Sequence, residues 1–555
     1  MTSSLSPVDW AVIAFYLVFL VGFAWWLSRQ QESREDYYVG GRRLGAWPVA
    51  LSIMATQCST NSILGAPAFV AFAAGGGLVW LQYELAVPLA MIGLILFFMP
   101  LFRHLRLVSV YAYLEKRFDV PTRLTLSGLF LFIRAFATSV TVYSIAIVID
   151  LITGLGFFWS VILLGAFTVV YDVLGGIRGV IYSDVIQLVI LVAVLALLLL
   201  LLMDGSGGFT AMLDNLGDDR RRTLNFSAHG FGDGETFAFW PMLIGGIFLY
   251  LSYYGCDQSQ VQRTLSTRNI DGSNQALFLN GLLRFPLVLL YCFVGVGIAG
   301  YATANPDFID ALQTSNGMPE FNLAVPLYMI NALPVGLVGL SMVALFAAAM
   351  SSLDSVLNSL SATTMEDFVR RFHSGNRWDE HQELVISRFI TAAWGLVTLV
   401  MAFYVGDIAT TVLEAINQIG SMANGSILAV FALGLLTTRT HGSGAITGLL
   451  LGIAVNGYLW IFVPEISWLW WNVIGFVVTF TTGFTLGTLY GRNFGRDYGR
   501  DYGRDYAGTL DPEILEQSVA GYLRTEARVN WKARSWFLLA WFGILLAILV
   551  GLAHS

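Results

Sequence analysis

The sequence predicts an all-α, polytopic membrane protein of about fourteen transmembrane helices. Three observations carry this reading. Of the 555 residues, 56% are hydrophobic and only 12% are charged, where soluble domains carry about 25% charged residues. Apolar runs of about 20 residues, the length that spans a bilayer, recur from end to end. The basic residues between those runs fall mainly into every second loop, as expected for a chain that crosses a membrane repeatedly. A transmembrane β-barrel would show weak alternating segments of about ten residues instead.

The runs lie near 7–27, 47–74, 78–102, 124–152, 156–175, 179–203, 237–256, 274–303, 334–364, 385–406, 410–437, 443–463, 468–490 and 535–553. The first has no Lys or Arg before it and exceeds a signal-peptide core, so it is expected to stay as a helix. With the N-terminus outside, the cytoplasmic loops collect 25 of the 30 Lys and Arg residues. The outside receives only Arg220, Arg221 and Arg222, while Arg134 and Arg284 lie within spans. The basic-residue rule therefore predicts a multi-pass protein of the cytoplasmic (inner) membrane with both termini extracytoplasmic. The longest loops are 204–236 outside and 491–534 inside. The inner loop repeats Gly-Arg-Asp-Tyr. It reads as a solvated, positively charged linker, with lipid or partner binding as the alternative.

Several function classes drop out. Cys58, Cys256 and Cys292 all lie in or beside spans and offer no disulfide framework. All six histidines lie outside the spans, which argues against haem and copper membrane enzymes. No P-loop, nucleophile elbow or metal-protease motif occurs, so neither an ATP-driven pump nor an enzyme is expected. Nothing points to nucleic acid.

Residues 55–67, ATQCSTNSILGAP, stand out. They lie inside the second span, yet Thr56, Gln57, Ser59, Thr60, Asn61 and Ser62 crowd into seven positions, with Gly65 and Pro67 following. In lipid, helix-breaking backbone is tolerated only where it lines a cavity or is buried in protein. Broken helices at mid-membrane are a hallmark of secondary carriers, where freed carbonyls coordinate Na+. The bland alternative is a tight helix–helix contact of small residues. Gly65 and Pro67 are expected to permit the break.

A second polar cluster sits in the ninth span. Ser351, Asp354, Ser355 and Asn358 are spaced to share one helix face. Hydroxyls, carbonyls and one or two carboxylates suit a hard monovalent cation, and soft Cys or His ligands do not. Charged residues within spans are functional candidates by default. Here they are Glu84, Arg134, Asp184, Asp257, Arg284, Asp354 and Glu414.

At these residues a resemblance becomes specific. YVGGRRLG at 38–45 precedes the polar run, and YAYLEKRF at 111–118 follows the third span. GGIRGVIYSDVIQ at 175–187, DQ at 257–258 with VQRT at 261–264, and AAMSSLDS at 348–355 complete an ordered set. The chain resembles the sodium:solute symporter family, including its bacterial sodium/sugar and sodium/sialic-acid members. The resemblance implies a LeuT-type fold of two inverted five-helix repeats plus extra helices. The expected parts are an extra N-terminal helix at 7–27, repeats at 47–203 and 237–437, and extra C-terminal helices at 443–553, all one transport domain.

The resemblance also implies sites. A first Na+ site would use carbonyls of Ala55, Cys58 and Ala348 and hydroxyls of Ser351 and Ser352. Cys58 replaces a usual apolar residue, but a carbonyl can still serve. A second Na+ site would use Asp184, Asp354, Ser351 and Ser355, with Asp354 standing where sialic-acid carriers have Ser. Asp184 has a plainer alternative as the N-cap of the sixth span. Solute candidates are Gln57, Ser59, Thr60, Ser62, Glu84, Arg134, Asp257, Gln260, Asn417 and Gln418. Arg134 falls where a carboxylate-gripping Arg is expected, a role that suits a bidentate guanidinium; the alternative is a buried ion pair with Glu84. The combined reading is a Na+-coupled symporter, acting as a monomer in the bilayer, that imports a small polar solute such as a sugar, sugar acid or other carboxylate. A proton-coupled carrier on the same scaffold is the alternative.

Overall fold

The computed structural model describes residues 5–312, 320–373, 378–405, 412–437, 440–501 and 527–554, without the side chains at 60, 61, 412–417, 490–501 and 554. Eleven described helices are long and apolar enough to cross a membrane. The difference from fourteen has a physical origin in two broken spans and one joined pair. The second span is two half-length helices, α2 (Ala46–Gln57) and α3 (Thr60–Ala71), following α1 (Pro7–Ser28). After α4 (Leu78–His104) and α5 (Val120–Thr153) comes α6 (Phe157–Gly205), whose 49 residues would reach about 74 Å if straight. That is more than twice the roughly 30 Å hydrocarbon core. It is two spans joined at Gly176, whose φ of 53° and ψ of −161° break the helical path.

The seventh span is also broken, into α7 (Gly246–Cys256) and α8 (Gln258–Leu265). The remaining helices are α9 (Ile270–Ala304), α10 (Leu337–Thr363), α11 (Glu380–Val405), α12 (Val412–Leu436), α13 (Gly442–Phe462), α14 (Trp468–Asp501) and α15 (Trp531–His554). Helix α14 runs eleven residues into the loop expected from 491.

Burial sorts the helices. The span that begins with α10 has 83% of its apolar window buried and the span formed by α15 only 17%, so α10 is central and α15 peripheral. Helix α10 packs along α6 and α1, and α9 packs on both halves of the second span. Peripheral helices display Phe15, Trp26, Phe389 and Ile461 outward, an apolar surface that only a bilayer or a partner would cover. The start of α10 is fixed by a distant residue. Asp9, in the first turn of α1, accepts from the backbone N–H of Gly336 at 2.8 Å and of Gly339 at 2.7 Å. These are orphan donors of a helix N-terminus. The central helix is thereby tied to the outer one.

Candidate functional site

The polar run at 55–62 does break its helix, but not at Gly65 and Pro67. Helix α2 ends at Cys58 (φ −80°, ψ 63°), and Ser59 is extended (φ −70°, ψ 176°). Gly65 and Pro67 lie inside α3. Gly295 lets α9 lie close against the backbone at Pro67; a Cβ at Gly295 would come within 2.7 Å of the Pro67 carbonyl.

The break leaves carbonyls at the end of α2 without helical donors, carrying the partial negative charge of a helix C-terminus. The face of α10 meets them. Ser351 Oγ lies 3.3 Å from the Ala55 carbonyl and 3.2 Å from that of Ala348. Ser352 Oγ lies 3.2 Å from the Thr56 carbonyl and 3.3 Å from that of Ala348. Ala55, Ala348, Ser351 and Ser352 are therefore together, and Cys58 is the residue at the break. Among the described residues no cluster of three or more His, Cys, Asp or Glu could hold a metal. The oxygens gathered here are instead neutral hydroxyls and carbonyls, a donor set that fits Na+.

The other expected cation cluster has a resident charge. Asp184 lies eight residues beyond the Gly176 joint, inside the helix, so it is not an N-cap. Its Oδ2 accepts from Ser52 Oγ at 2.5 Å and faces Arg263 Nη2 at 3.5 Å. Arg263 also bonds Ser355 Oγ and donates to Ser52 Oγ at 2.8 Å. Asp354 accepts from Tyr171 at 2.5 Å and from Ser355 at 3.1 Å. Asp184, Asp354 and Ser355 are thus brought together around a guanidinium. Sequence reasoning counted Arg263 among loop residues; the break at Asp257 begins a second half-helix that carries it into the interior, fully buried.

A cavity of about 320 Å³ opens beside the first break. Gln57, Ser59, Ser62, Glu84, Arg134 and Asp257 line it, as expected. Gln260 does not. It is buried behind the wall, donating at 2.8 Å to the hydroxyl of Tyr253, which does line the cavity. From α12 the described lining residues are Ile419, Gly420, Asn424 and Ile427, not Gln418. The side chains of Thr60, Asn417 and Glu414 lie outside the described residues. Arg134 pairs with Asp257, not with Glu84, and its guanidinium lies 5.2 Å from the Tyr253 ring centre. Glu84 pairs with Arg284 at 3.2 Å and faces the Tyr250 hydroxyl at 3.3 Å. The exchange of partners follows from the second break: Asp257 sits at the kink and caps α8 by accepting from the Ser259 N–H at 2.8 Å, which turns its other oxygen toward α5.

Comparison with known proteins shows the family and the fold. The sodium:solute symporter family model matches residues 37–452. The chain belongs to this family. The family member is 30% identical to the sodium/sialic acid symporter NanT of Aliivibrio fischeri, over 85% of this chain and 91% of that one. It is 31% identical to a sodium-dependent multivitamin transporter of Oryctolagus cuniculus, over 84% of this chain and 72% of that one. A solved Na+-coupled sialic acid symporter, in a substrate-bound outward-open state, matches with a TM-score of 0.77 at 23% identity, covering 87% of this chain and 98% of that one. Mhp1, a nucleobase-cation-symport-1 family transporter, matches with a TM-score of 0.52 at 15% identity, covering 89% and 99%. The fold is the LeuT type, and the chain is a multi-pass membrane protein.

Proposed function

We propose that this symporter-family chain carries a small polar organic solute into the cell by alternating access, driven by Na+. The observation that carries the reading is the meeting of Ser351 and Ser352 with the open carbonyls of α2. A cation there would be held by Ala55, Cys58 and Ala348 carbonyls and the two serine hydroxyls. It would join α2 to α10 and hold the cavity in shape. Ser352 lines the cavity as well as the cation cluster, which gives ion and solute a shared wall. A second Na+ would fall to Asp354 with Ser351 and Ser355, because Asp184 already forms the direct ion pair with Arg263.

The energetics suffice. One charge falling through roughly 100 mV releases about 2.3 kcal/mol, and a tenfold Na+ gradient adds about 1.4 kcal/mol. One ion thus supports an accumulation of a neutral solute of several hundredfold. The reading is of a transporter, not an enzyme, with both breaks and the cavity supplied by one chain. The two breaks fall at corresponding points of 47–203 and 237–437, which supports those ranges as the inverted repeats. The loop charges support the cytoplasmic membrane with both termini outside.

The test is thermal unfolding of the purified protein in NaCl and in KCl. Ligands of the native state raise the melting temperature by mass action. We expect stabilisation by Na+ over K+ in the wild type and its loss in Ser351→Ala. Equal melting temperatures in the two salts, with stabilisation by acid instead, would overturn the sodium reading.

A further inference from the structure

Helix α1 precedes both broken spans and belongs to neither, yet its inner face is built into their surroundings. That face is apolar at Ile13, Leu17, Leu20 and Ala24 and packs along α6 and α10. Two of the buried residues of α1 carry polar groups, Asp9 and Tyr16. Asp9 is spent on the start of α10, where it accepts from Gly336 and Gly339. Tyr16 is 5% exposed and lies near the middle of its helix. A phenol buried there is costly unless its hydroxyl is bonded, and Phe would fill the same space without that cost. The Tyr16 hydroxyl accepts from Gln187 Nε2 at 3.2 Å.

That bond leads to the buried carboxylates. Gln187 is one turn beyond Asp184 on α6, on the same helix face, and is equally buried. Asp184 and Asp354 both lie within electrostatic reach of the Tyr16 hydroxyl. Two acceptors there are unspent: Asp184 Oδ1 and Gln187 Oε1 are buried and have no hydrogen-bond partner. Tyr16 is bonded to Gln187 as an acceptor, so its own O–H remains to be donated. A buried acceptor left alone is costly, and α1 brings this donor beside two of them. The cluster already takes one phenol in this way, since Tyr171 donates to Asp354. Helix α1 also holds α6 on the other side of its joint. Gln31, three residues past α1, donates to the Gly175 carbonyl, and a Cβ at Gly175 would come within 3.3 Å of the Ala24 Cβ. The contacts to α6 therefore bracket Gly176, while Asp9 fixes α10.

We infer that Tyr16 is a positioning residue of the second cation cluster. Its hydroxyl holds Gln187 and, through it, the turn of α6 that presents Asp184. Helix α1 is thus a splint that sets the helix of Asp184 against the helix of Asp354, and cation binding depends on it. The inference rests on the reading of the chain as a Na+-driven carrier.

The test is a Na+ titration of thermal unfolding on the full-length purified protein, with KCl holding the ionic strength constant. Tyr16→Phe keeps the ring and removes the hydroxyl. The Na+ concentration that gives half of the full stabilisation should rise about threefold or more, the size that one neutral hydrogen bond sets. Gln187→Leu should raise it by a similar factor, and the double variant should raise it no further. Leu20→Ala, an apolar change on the same buried face, is the packing control. It should lower the melting temperature in both salts and leave the Na+ midpoint where it was. A wild-type Na+ midpoint in Tyr16→Phe overturns the inference and leaves the sodium reading standing. So does an equal shift in Leu20→Ala, which would make the effect one of packing, and so does a double variant whose shifts multiply. Absence of any Na+ effect in the wild type removes the reading beneath, and the inference with it.

Discussion

Arg263 Nη2 stands 3.5 Å from Asp184 Oδ2, and neither side chain has any exposed surface. The pair joins the second half of one broken span to the helix that leaves the Gly176 joint. Removing one partner of a buried ion pair strands the other charge and costs about 3–5 kcal/mol. Arg263→Ala is therefore expected to lower the melting temperature sharply. Asp184→Asn in the same chain removes the stranded charge and should return part of the loss. A double variant no more stable than Arg263→Ala would show that the two groups are not energetically linked.

Asp354 supplies the second carboxylate of the cluster around Arg263. Its oxygens accept from Tyr171 and Ser355, and Ser355 in turn contacts Thr56 of α2 at 2.9 Å. If a second Na+ is held there, solute uptake should rise with Na+ concentration with a Hill coefficient above one. In Asp354→Asn the coefficient should drop to one while uptake persists at the first site. Proteoliposome uptake measured over a range of Na+ concentrations decides this, and an unchanged coefficient would assign coupling to the first site alone.

The fold and the two polar clusters that meet beside the first break were legible because they are written in local pattern. Apolar length marks a span, and six polar residues in seven mark a break in one. The spacing of Ser351, Asp354, Ser355 and Asn358 places them on one face of α10, and the family resemblance adds Ser352. What sequence could not show was pairing across long separations. Arg134 meets Asp257 across 123 positions and Arg284 meets Glu84 across 200. Nothing local says which carboxylate an intramembrane Arg will find. Arg263 was missed for a related reason: after the apolar run ends at Cys256, a polar QSQVQRT stretch reads as loop. Its burial depends on a half-helix enclosed by other helices. The cap formed by Asp257, two residues before Ser259, was the one local signal that this helix restarts.

Charge pairing also governs one end of the molecule. Glu115, on the short helix Ala112–Arg117, accepts from Arg123 at 2.7 Å and from Arg371 at 2.8 and 2.9 Å. Burial opposes its charge, but the hydrogen bonds from Arg123 and Arg371 outweigh burial and hold its carboxyl below the usual 4.5. A carboxyl depressed by folding contributes stability that is complete above its unfolded value and lost as pH falls through its folded value. The melting temperature should thus fall below about pH 4.5. Glu115→Gln should start lower at neutral pH and fall less. Parallel curves for the two proteins would place the acid sensitivity elsewhere.

The joint at Gly176 makes the last prediction, because two separate constraints exclude a side chain there. Its φ of 53° with ψ of −161° is a conformation that L residues adopt only under strain, at a cost of about 1–3 kcal/mol. An added Cβ would also sit 2.7 Å from Tyr37 Cδ2 and 2.8 Å from the Tyr37 carbonyl. Tyr37 cannot simply withdraw. It is fully buried, and its hydroxyl bonds Thr391 Oγ1 at 3.0 Å. Three residues on, Gly179 is helical, and a Cβ there would meet nothing within 4 Å. The same substitution should then act in opposite directions. Gly179→Ala should stabilise by roughly 0.5–1 kcal/mol through helix propensity, whereas Gly176→Ala should lower the melting temperature. It should also weaken Na+-dependent stabilisation, since the joint aims the helix that carries Asp184. Equal melting temperatures for the two variants would mean that the joint between the fifth and sixth spans does not need glycine.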